Sequence, residues 1–260
     1  MKCTFGEVVE AQLRLVAFDL DDTLADSKAP ISPDMAAALA RLLTRFEVAV
    51  ISGGQFSQFQ TQVLKRLELG FSARTLHLLP TCGTRYYRRK PAGDIETVYV
   101  EALDPAVRQE VKWTLQEVAT KLGLWEEHPW GEIIEDRGTQ VTFSALGQNA
   151  PLQAKRDWDP DKSKRSRLVE ALTPLLPGLE VRSGGSTSID ITAKGVDKAY
   201  GMRALLAAQS LEANEVLFVG DRLDPAGNDF PVVATGIPCQ EVRDPQETLT
   251  LIEELLAPKS

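Results

Sequence analysis

Leu13-Arg14-Leu15-Val16-Ala17-Phe18-Asp19-Leu20-Asp21-Asp22-Thr23 is the stretch from which the fold of this chain is read. Its apolar part, Leu13 to Leu20, has the length and composition of a buried strand. The strand runs into two carboxylates two residues apart and then a hydroxyl. In open α/β sheets, ligands sit outside the carboxyl ends of the strands. Carboxylates gathered at such an end need protons or a cation to balance them. A hard divalent cation, which prefers oxygen ligands, is the expected balance. The stretch therefore points to metal-assisted chemistry on an anionic group.

Outward from that strand the pattern alternates. Ser32-Pro33-Asp34 reads as a helix start with proline in the first turn, and Ala36 to Phe46 as its helix. Glu47 to Ile51 is a second apolar strand, stopped by Ser52-Gly53-Gly54. A helix is expected over Phe56 to Leu69 and a third strand over Leu76 to Leu79. This βαβαβ order predicts a parallel sheet with helices on its faces. Beyond Pro80 the signals turn antiparallel. Thr84–Arg89 and Glu96–Val100 flank a hairpin signal at Pro91-Ala92-Gly93-Asp94. A helix over Asp104–Leu122 follows, then paired strands over Glu132–Glu135 and Thr139–Ser144. A helix over Asp161–Leu176 precedes strands over Leu179–Arg182 and Thr187–Thr192. Parallel alternation resumes with a helix over Lys198–Gln209, strands over Glu215–Val219 and Val232–Thr235, and a terminal helix over Pro245–Leu256. The fold class is thus α/β, with a core domain of residues 1–83 and 189–260 split by an α+β insertion of residues 84–188. An interface between domains is a favoured place for a ligand cleft.

Composition narrows the function. With 260 residues, of which 43% are hydrophobic and 25% charged, the chain is long enough for one large or two moderate globular domains. A net charge of −8 argues against nucleic acid or an anionic membrane as a partner. Cys3, Cys82 and Cys239 are too scattered for a metal site or a disulfide framework, so a cytoplasmic location is expected. Met1 to Glu7 opens no signal-peptide region, and no apolar run approaches the ~20 residues that span a bilayer. His77 and His128 alone leave little for a histidine triad or a zinc site. Trp113, Trp125, Trp130 and Trp158 all fall in the insertion, where core packing is their expected role.

Four strand ends or helix starts carry chemistry: Asp19, Asp21 and Thr23; Ser52 with Gly53 and Gly54; Lys198; and Gly220-Asp221 followed by Asn228-Asp229. Each alone reads as an ordinary turn, helix cap or surface charge. Together they suit phosphoryl transfer, which needs an in-line nucleophile, neutralisation of phosphate charge and a proton for the leaving oxygen. A carboxylate serves as nucleophile. Ser52, neighbouring backbone N–H groups and Lys198 suit the phosphoryl oxygens. Asp19 and Asp221 suit Mg²⁺, and Asp21 suits proton transfer.

This constellation resembles the haloacid dehalogenase superfamily, in which the first Asp of D-x-D-x-T is the nucleophile and the second the acid/base. Ile51-Ser52-Gly53-Gly54, Leu79-Pro80-Thr81-Cys82-Gly83, Gly184-Gly185-Ser186-Thr187-Ser188-Ile189-Asp190 and Gly220-Asp221 through Asn228-Asp229 look like its phosphomannomutase-like branch. The resemblance implies a Rossmann-like core carrying an α/β cap (type IIB hydrolase-like) that closes over a sugar phosphate. It makes Asp19 the nucleophile and Asp21 the acid/base. Asp19, the backbone oxygen of Asp21, and Asp221 would hold Mg²⁺, with Asn228 and Asp229 in support. Ser52, Gly53 and Lys198 would bind the reacting phosphoryl group. Ser188 and Asp190 match residues that contact the hexose or its distal phosphate, and Arg137 matches a phosphate-binding arginine.

The resemblance also has departures. Gln148 stands where the mutase pattern has Arg, Lys155 aligns with another Arg beside Arg156, and Lys28 falls at a third. Arg to Lys is not neutral where a phosphate is held bidentately, and Arg to Gln removes a charge. Asp22 replaces a common Gly. Val233 to Pro238 lacks the acid that the mutases use for a second cation, which implies one essential metal. The sequence therefore leads first to a Mg²⁺-dependent phosphatase acting on a small phosphorylated metabolite, a sugar phosphate by the resemblance. A phosphohexomutase is the alternative, and a non-catalytic binding module a remote one. The chain is expected to act as a monomer or homodimer.

Overall fold

The computed structural model describes residues 12–68, 70, 73–90 and 93–257. Cys3, the first seven residues, Leu69 and the Pro91-Ala92 part of the hairpin signal lie outside them.

Strand β1 is Leu15–Asp19, and every one of its residues is buried. Leu15 and Ala17 pack into one hydrophobic cluster while Val16 and Phe18 pack into another. That is the alternation of a strand covered on both faces, and it explains a continuous rather than alternating apolar run. Helix α1, Pro33–Arg45, is capped by the Ser32 hydroxyl, which accepts from the Met35 N–H at 3.1 Å. Its Met35, Leu39 and Leu42 join the Val16–Phe18 side. Strand β2 is Glu47–Ile51. Helix α2, Phe56–Phe59, widens directly into a π-helical turn over Gln60–Leu64. Strand β3 is Leu76–Leu79.

The hairpin of β4, Arg85–Arg89, and β5, Ile95–Val100, then adds antiparallel to β3. After the insertion come α6, Lys198–Gln209, and β10, Val216–Gly220. They are followed by α7, Phe230–Val233, and β11, Cys239–Glu241. The chain ends its described part with α8, Pro245–Leu256. The sheet order is β11-β10-β1-β2-β3-β4-β5. Strands β11, β10, β1, β2 and β3 are parallel, so their carboxyl ends share one edge. Helices α1 and α8 cover one face, and Met202 and Leu205 of α6 with Val232 of α7 cover the other.

The insertion is a second compact unit, Glu101–Val196. Helix α3, Pro105–Lys121, is capped by Asp104. Strands β6, Ile134–Asp136, and β7, Gln140–Ser144, form a hairpin. Helices α4, Leu152–Trp158, and α5, Ser163–Leu172, precede β8, Leu179–Ser183, and β9, Ser188–Ala193. The antiparallel sheet order is β6-β7-β9-β8. Val141, Phe143, Ile189 and Ile191 meet Val111, Leu115, Leu168 and Leu172 of the helices on one face.

Both expected borders of the insertion move. The hairpin after Pro80 belongs to the seven-stranded sheet, because β4 pairs with β3. Ser188–Ala193 belongs to the insertion, because β9 is sandwiched between β7 and β8. The divides therefore fall after Val100 and after Val196 rather than after residues 83 and 188. Val232–Thr235 is not a strand: Pro231 sits in the first turn of α7, and the next strand is Cys239–Glu241. Helix α4 has no buried residue, and so no apolar stripe announces it. Of the tryptophans, Trp125 and Trp158 pack onto the insertion core, but Trp113 is 66% and Trp130 46% exposed.

Candidate active site

Asp19 is the last residue of β1 and only 3% exposed. Lys198 opens α6, whose cap is Asp197, accepting from Tyr200 N at 2.8 Å. The Lys198 ammonium, 2% exposed, donates to Asp19 Oδ1 and to Asp229 Oδ1, the latter at 2.5 Å. Asp229 is fully buried, and its second oxygen accepts from Arg222 N at 3.1 Å. Gly220 makes this possible, since a Cβ there would lie 2.5 Å from Asp229 Oδ2. Asp221, half-buried, completes a set of three carboxylates whose oxygens lie within 4.8 Å of one another.

Three carboxylates around one ammonium leave the cluster negative. Burial pushes the Asp19 carboxyl up to about 7, against the pull of Lys198. Burial also raises Asp221, with the Asp229 charge adding to the effect. Burial alone would lower Lys198, but Asp19 and Asp229 outweigh it and hold the ammonium charged. The donor set is all oxygen, compact and under-neutralised, which fits a small hard cation. Asp229 belongs to the cluster directly while also locking Lys198; Asn228 is exposed.

Ser52 follows β2 and is buried. Its hydroxyl accepts from Gly54 N at 3.1 Å, and its carbonyl accepts from Cys82 N at 2.9 Å. Thr81, Cys82 and Gly83 all have positive φ, of 49°, 54° and 85°. Gly83 is required twice over, by its φ and because a Cβ would meet the Gly201 Cα at 2.4 Å. That close approach seats α6, and hence Lys198, against the loop that holds Ser52.

Asp21 stands apart from the carboxylate cluster. Its Oδ1 accepts from Lys28 N at 2.7 Å and Gln62 Nε2 at 3.3 Å, and its Oδ2 accepts from Gln58 Nε2 at 3.0 Å. Asp22 adopts φ of 60°, a left-handed conformation in which Asp is tolerated and Gly is common. Lys28 also has positive φ, and its side chain is exposed. Nothing in the sequence reading singled out the two glutamines; the available signal was two amides four residues apart just after the Ser52 loop.

With this geometry in view, comparison with known proteins is decisive for the family. A family model described as eukaryotic phosphomannomutase matches residues 35–258. The chain belongs to that family, within the haloacid dehalogenase superfamily. Phosphomannomutase 1 of Mus musculus is 25% identical over 258 residues, covering 95% of this chain and 93% of that protein. The phosphomannomutase of Saccharomyces cerevisiae is 25% identical over 260 residues, covering 93% of each. An N-terminally truncated, IMP-bound IMP-nucleotidase of Plasmodium falciparum superposes with a TM-score of 0.67 at 15% identity, over 95% of this chain and 69% of its own. A trehalose-6-phosphate phosphatase related protein gives 0.56 at 15% identity, over 93% and 96%. At such identities the structural likeness speaks to the fold. Membership of the phosphomannomutase family makes the chain a phosphoryl-transfer enzyme.

The phosphomannomutase-like positions of the insertion form two groups. Asp190 and Ser188 lie on the face of β9 opposite the insertion core, half-buried. Asp190 accepts from Gln140 Nε2 at 2.7 Å and Thr142 Oγ1 at 2.8 Å. Burial raises its carboxyl, opposed by the charge of Arg137. Gly184 folds over both, since a Cβ there would be 2.6 Å from Ser188 Oγ and from Asp190 Oδ2. Arg137 itself forms an ion pair with Glu135 at 2.7 Å. In the second group, Lys155 Nζ donates to the carbonyl of Gln148 at 2.8 Å. Gln148 keeps its side-chain Nε2 buried without a partner among the described residues. The Arg156 side chain is exposed.

Proposed function

We propose that the chain is a phosphohexomutase that moves a phosphoryl group between two hydroxyls of a sugar phosphate through Asp19. The observation that carries this reading is the extent of the family match, residues 35–258, which runs through the whole insertion. The order of the two sequence expectations is therefore reversed, with the mutase placed ahead of the phosphatase.

In this reading Asp19 attacks phosphorus in line. The P–O ester bond breaks as the Asp19–phosphorus bond forms, and Asp21 gives its proton to the departing sugar oxygen. In the return half-reaction Asp21 removes a proton from the accepting hydroxyl, and the phosphoryl group leaves Asp19. Lys198 aims Asp19 and, with Ser52 and the Gly53 loop, binds the phosphoryl oxygens. Asp19, Asp221 and the main-chain oxygen of Asp21 would hold Mg²⁺, which would neutralise charge on the transferring group. In the insertion, Arg137, Ser188, Asp190 and Lys155 would hold the sugar and its distal phosphate, with Lys28 and Arg156 adding positive charge. Small sugar phosphates are cytoplasmic metabolites, and such a location suits this substrate class. Among the described residues, no helix is long and apolar enough to cross a membrane.

Gln148 favours a second reading, hydrolysis. A neutral amide where the mutase pattern has a cation weakens the grip on a bisphosphate intermediate, so that water can take the phosphoryl group from Asp19 instead. Incubation with mannose 1-phosphate, Mg²⁺ and a catalytic hexose bisphosphate, followed by ³¹P NMR, separates the two. Mannose 6-phosphate is expected; inorganic phosphate as the sole product would replace the mutase by the hydrolase.

A further inference from the structure

We infer that Gln58 and Gln62 are positioning residues that clamp the acid/base carboxylate of Asp21, and that Gly54 exists to let Gln58 reach it. This rests on the reading of Asp21 as the acid/base. The clamp has three independent supports. First, the two amides lie four residues apart on a helix that opens into a π turn, where Lys65 N bonds back to Gln60 O at 3.0 Å. Side chains four apart on a helix are neighbours on one face, and π turns are concentrated at functional sites. Second, each carboxylate oxygen of Asp21 receives one amide: Oδ2 from Gln58 at 3.0 Å and Oδ1 from Gln62 at 3.3 Å. The Gln62 side-chain amide N–H also donates to Ala29 O at 2.6 Å, and the main-chain carbonyl of Gln62 accepts from Ile31 N at 2.9 Å. The same residue therefore fixes the loop that carries Lys28 N onto Asp21. Third, the Gln58 side chain lies flat on Gly54, where a Cβ would be 2.0 Å from Gln58 Oε1 and 2.6 Å from its Cδ. The second glycine of the Ser52-Gly53-Gly54 turn thus leaves the space through which Gln58 passes.

The amides exchange no proton. They fix the rotation of the carboxyl group, so that when Asp21 carries a proton its O–H is aimed at the leaving oxygen as the P–O bond breaks. Misplacing a catalytic group by about 1 Å costs on the order of 100-fold. The cost depends on how much the leaving group needs the proton. An alkyl phosphate has a basic leaving oxygen and needs it; p-nitrophenyl phosphate expels a stable phenolate and does not.

The test compares pre-steady-state phosphoryl transfer to Asp19 from mannose 1-phosphate and from p-nitrophenyl phosphate. The variants are Gln58→Met, Gln62→Met, Gly54→Ala and, as benchmark, Asp21→Asn. Gln58 is half-buried, so Gln58→Met keeps the fold even if Gln62→Met does not. The expected result for Gln58→Met is a loss of about 10- to 100-fold with the sugar phosphate and a p-nitrophenolate burst within about threefold of wild type. Gly54→Ala is expected to lose sugar-phosphate transfer at least as strongly as Gln58→Met; wild-type transfer in Gly54→Ala would overturn the role given to Gly54. Equal losses on both substrates, or none, in Gln58→Met while Asp21→Asn shows the selective loss would overturn the clamp alone. An Asp21→Asn variant without selective loss would overturn the acid/base reading and the clamp with it.

Discussion

Replacing Lys198 by Met removes the cation that the buried Asp19 and Asp229 share while keeping a side chain of similar length. Lys198 Nζ lies 2.5 Å from Asp229 Oδ1 and also contacts Asp19 Oδ1. Unit charges that close attract by about 6–7 kcal/mol at an effective dielectric constant near 20. Desolvating the ammonium offsets several kcal/mol of this, so that the pair itself contributes little net stability. Deleting one partner is different, because it leaves Asp19 and Asp229 buried and mutually repelling. The expected cost is about 3–5 kcal/mol. For a domain of this size that is a fall in Tm of about 6–20 °C. Far-UV circular dichroism is the readout, because all four tryptophans lie in the insertion and fluorescence would follow the wrong unit. The fall should be larger at pH 8 than at pH 5, where the orphaned carboxylates take up protons. An unchanged or higher Tm at pH 8 would refute the claim that Lys198 is what makes the cluster tolerable.

Three further outcomes follow from the charges. The Asp19 carboxyl sits at about 7 in the folded protein against 3.8 ordinarily, so the folded state binds more protons than the unfolded one between those values. Its contribution in EDTA therefore destabilises as pH rises through that window, and the Tm difference between wild type and Asp19→Asn should widen from pH 5 to pH 7.5 in favour of the variant. Mg²⁺ should raise the wild-type Tm more at pH 7.5 than at pH 5; a larger gain at pH 5 contradicts the assignment. In the insertion, Asp136 is bonded by Lys112 at 2.7 Å and Arg108 at 2.9 Å, which overcome its partial burial and hold its carboxyl at about 2. That stabilisation is present above pH ~4 and is lost as pH falls through about 2, so Asp136→Asn should cost about 1 kcal/mol at neutral pH after solvent screening, and only a small part of that at pH 2, by tryptophan fluorescence.

The core was legible because its signals are local and redundant. Leu15–Phe18 is apolar at every position, as a doubly covered strand must be, and Ser32-Pro33 marks the start of α1 both by cap and by fixed φ. Asp19, Ser52, Lys198 and Asp221 could be paired on paper because each sits directly at a strand end or a helix start. What escaped were matters of partnership. The β4–β5 hairpin carries the same alternation whichever sheet it joins, and only its pairing with β3 assigns it to the core. Val232-Val233 reads as a strand from β-branching, yet Pro231 in the preceding position lets a helical turn start there. Cys239-Gln240-Glu241 has no apolar run because an edge strand of three residues needs none. Gln58 and Gln62 are polar residues on a helix, unremarked until Asp21 is placed beside them.

The most direct test of the account is the site of covalent phosphorylation. Wild-type protein mixed with mannose 1-phosphate and Mg²⁺, quenched in acid within one turnover and digested, should carry one phosphoryl group on the peptide containing Asp19. The label should be absent in Asp19→Asn and should pass to a hexose hydroxyl when a phosphorylated hexose acceptor is added. A phosphoryl group on any other residue, or isomerised product formed by Asp19→Asn at the wild-type rate, would contradict the central claim.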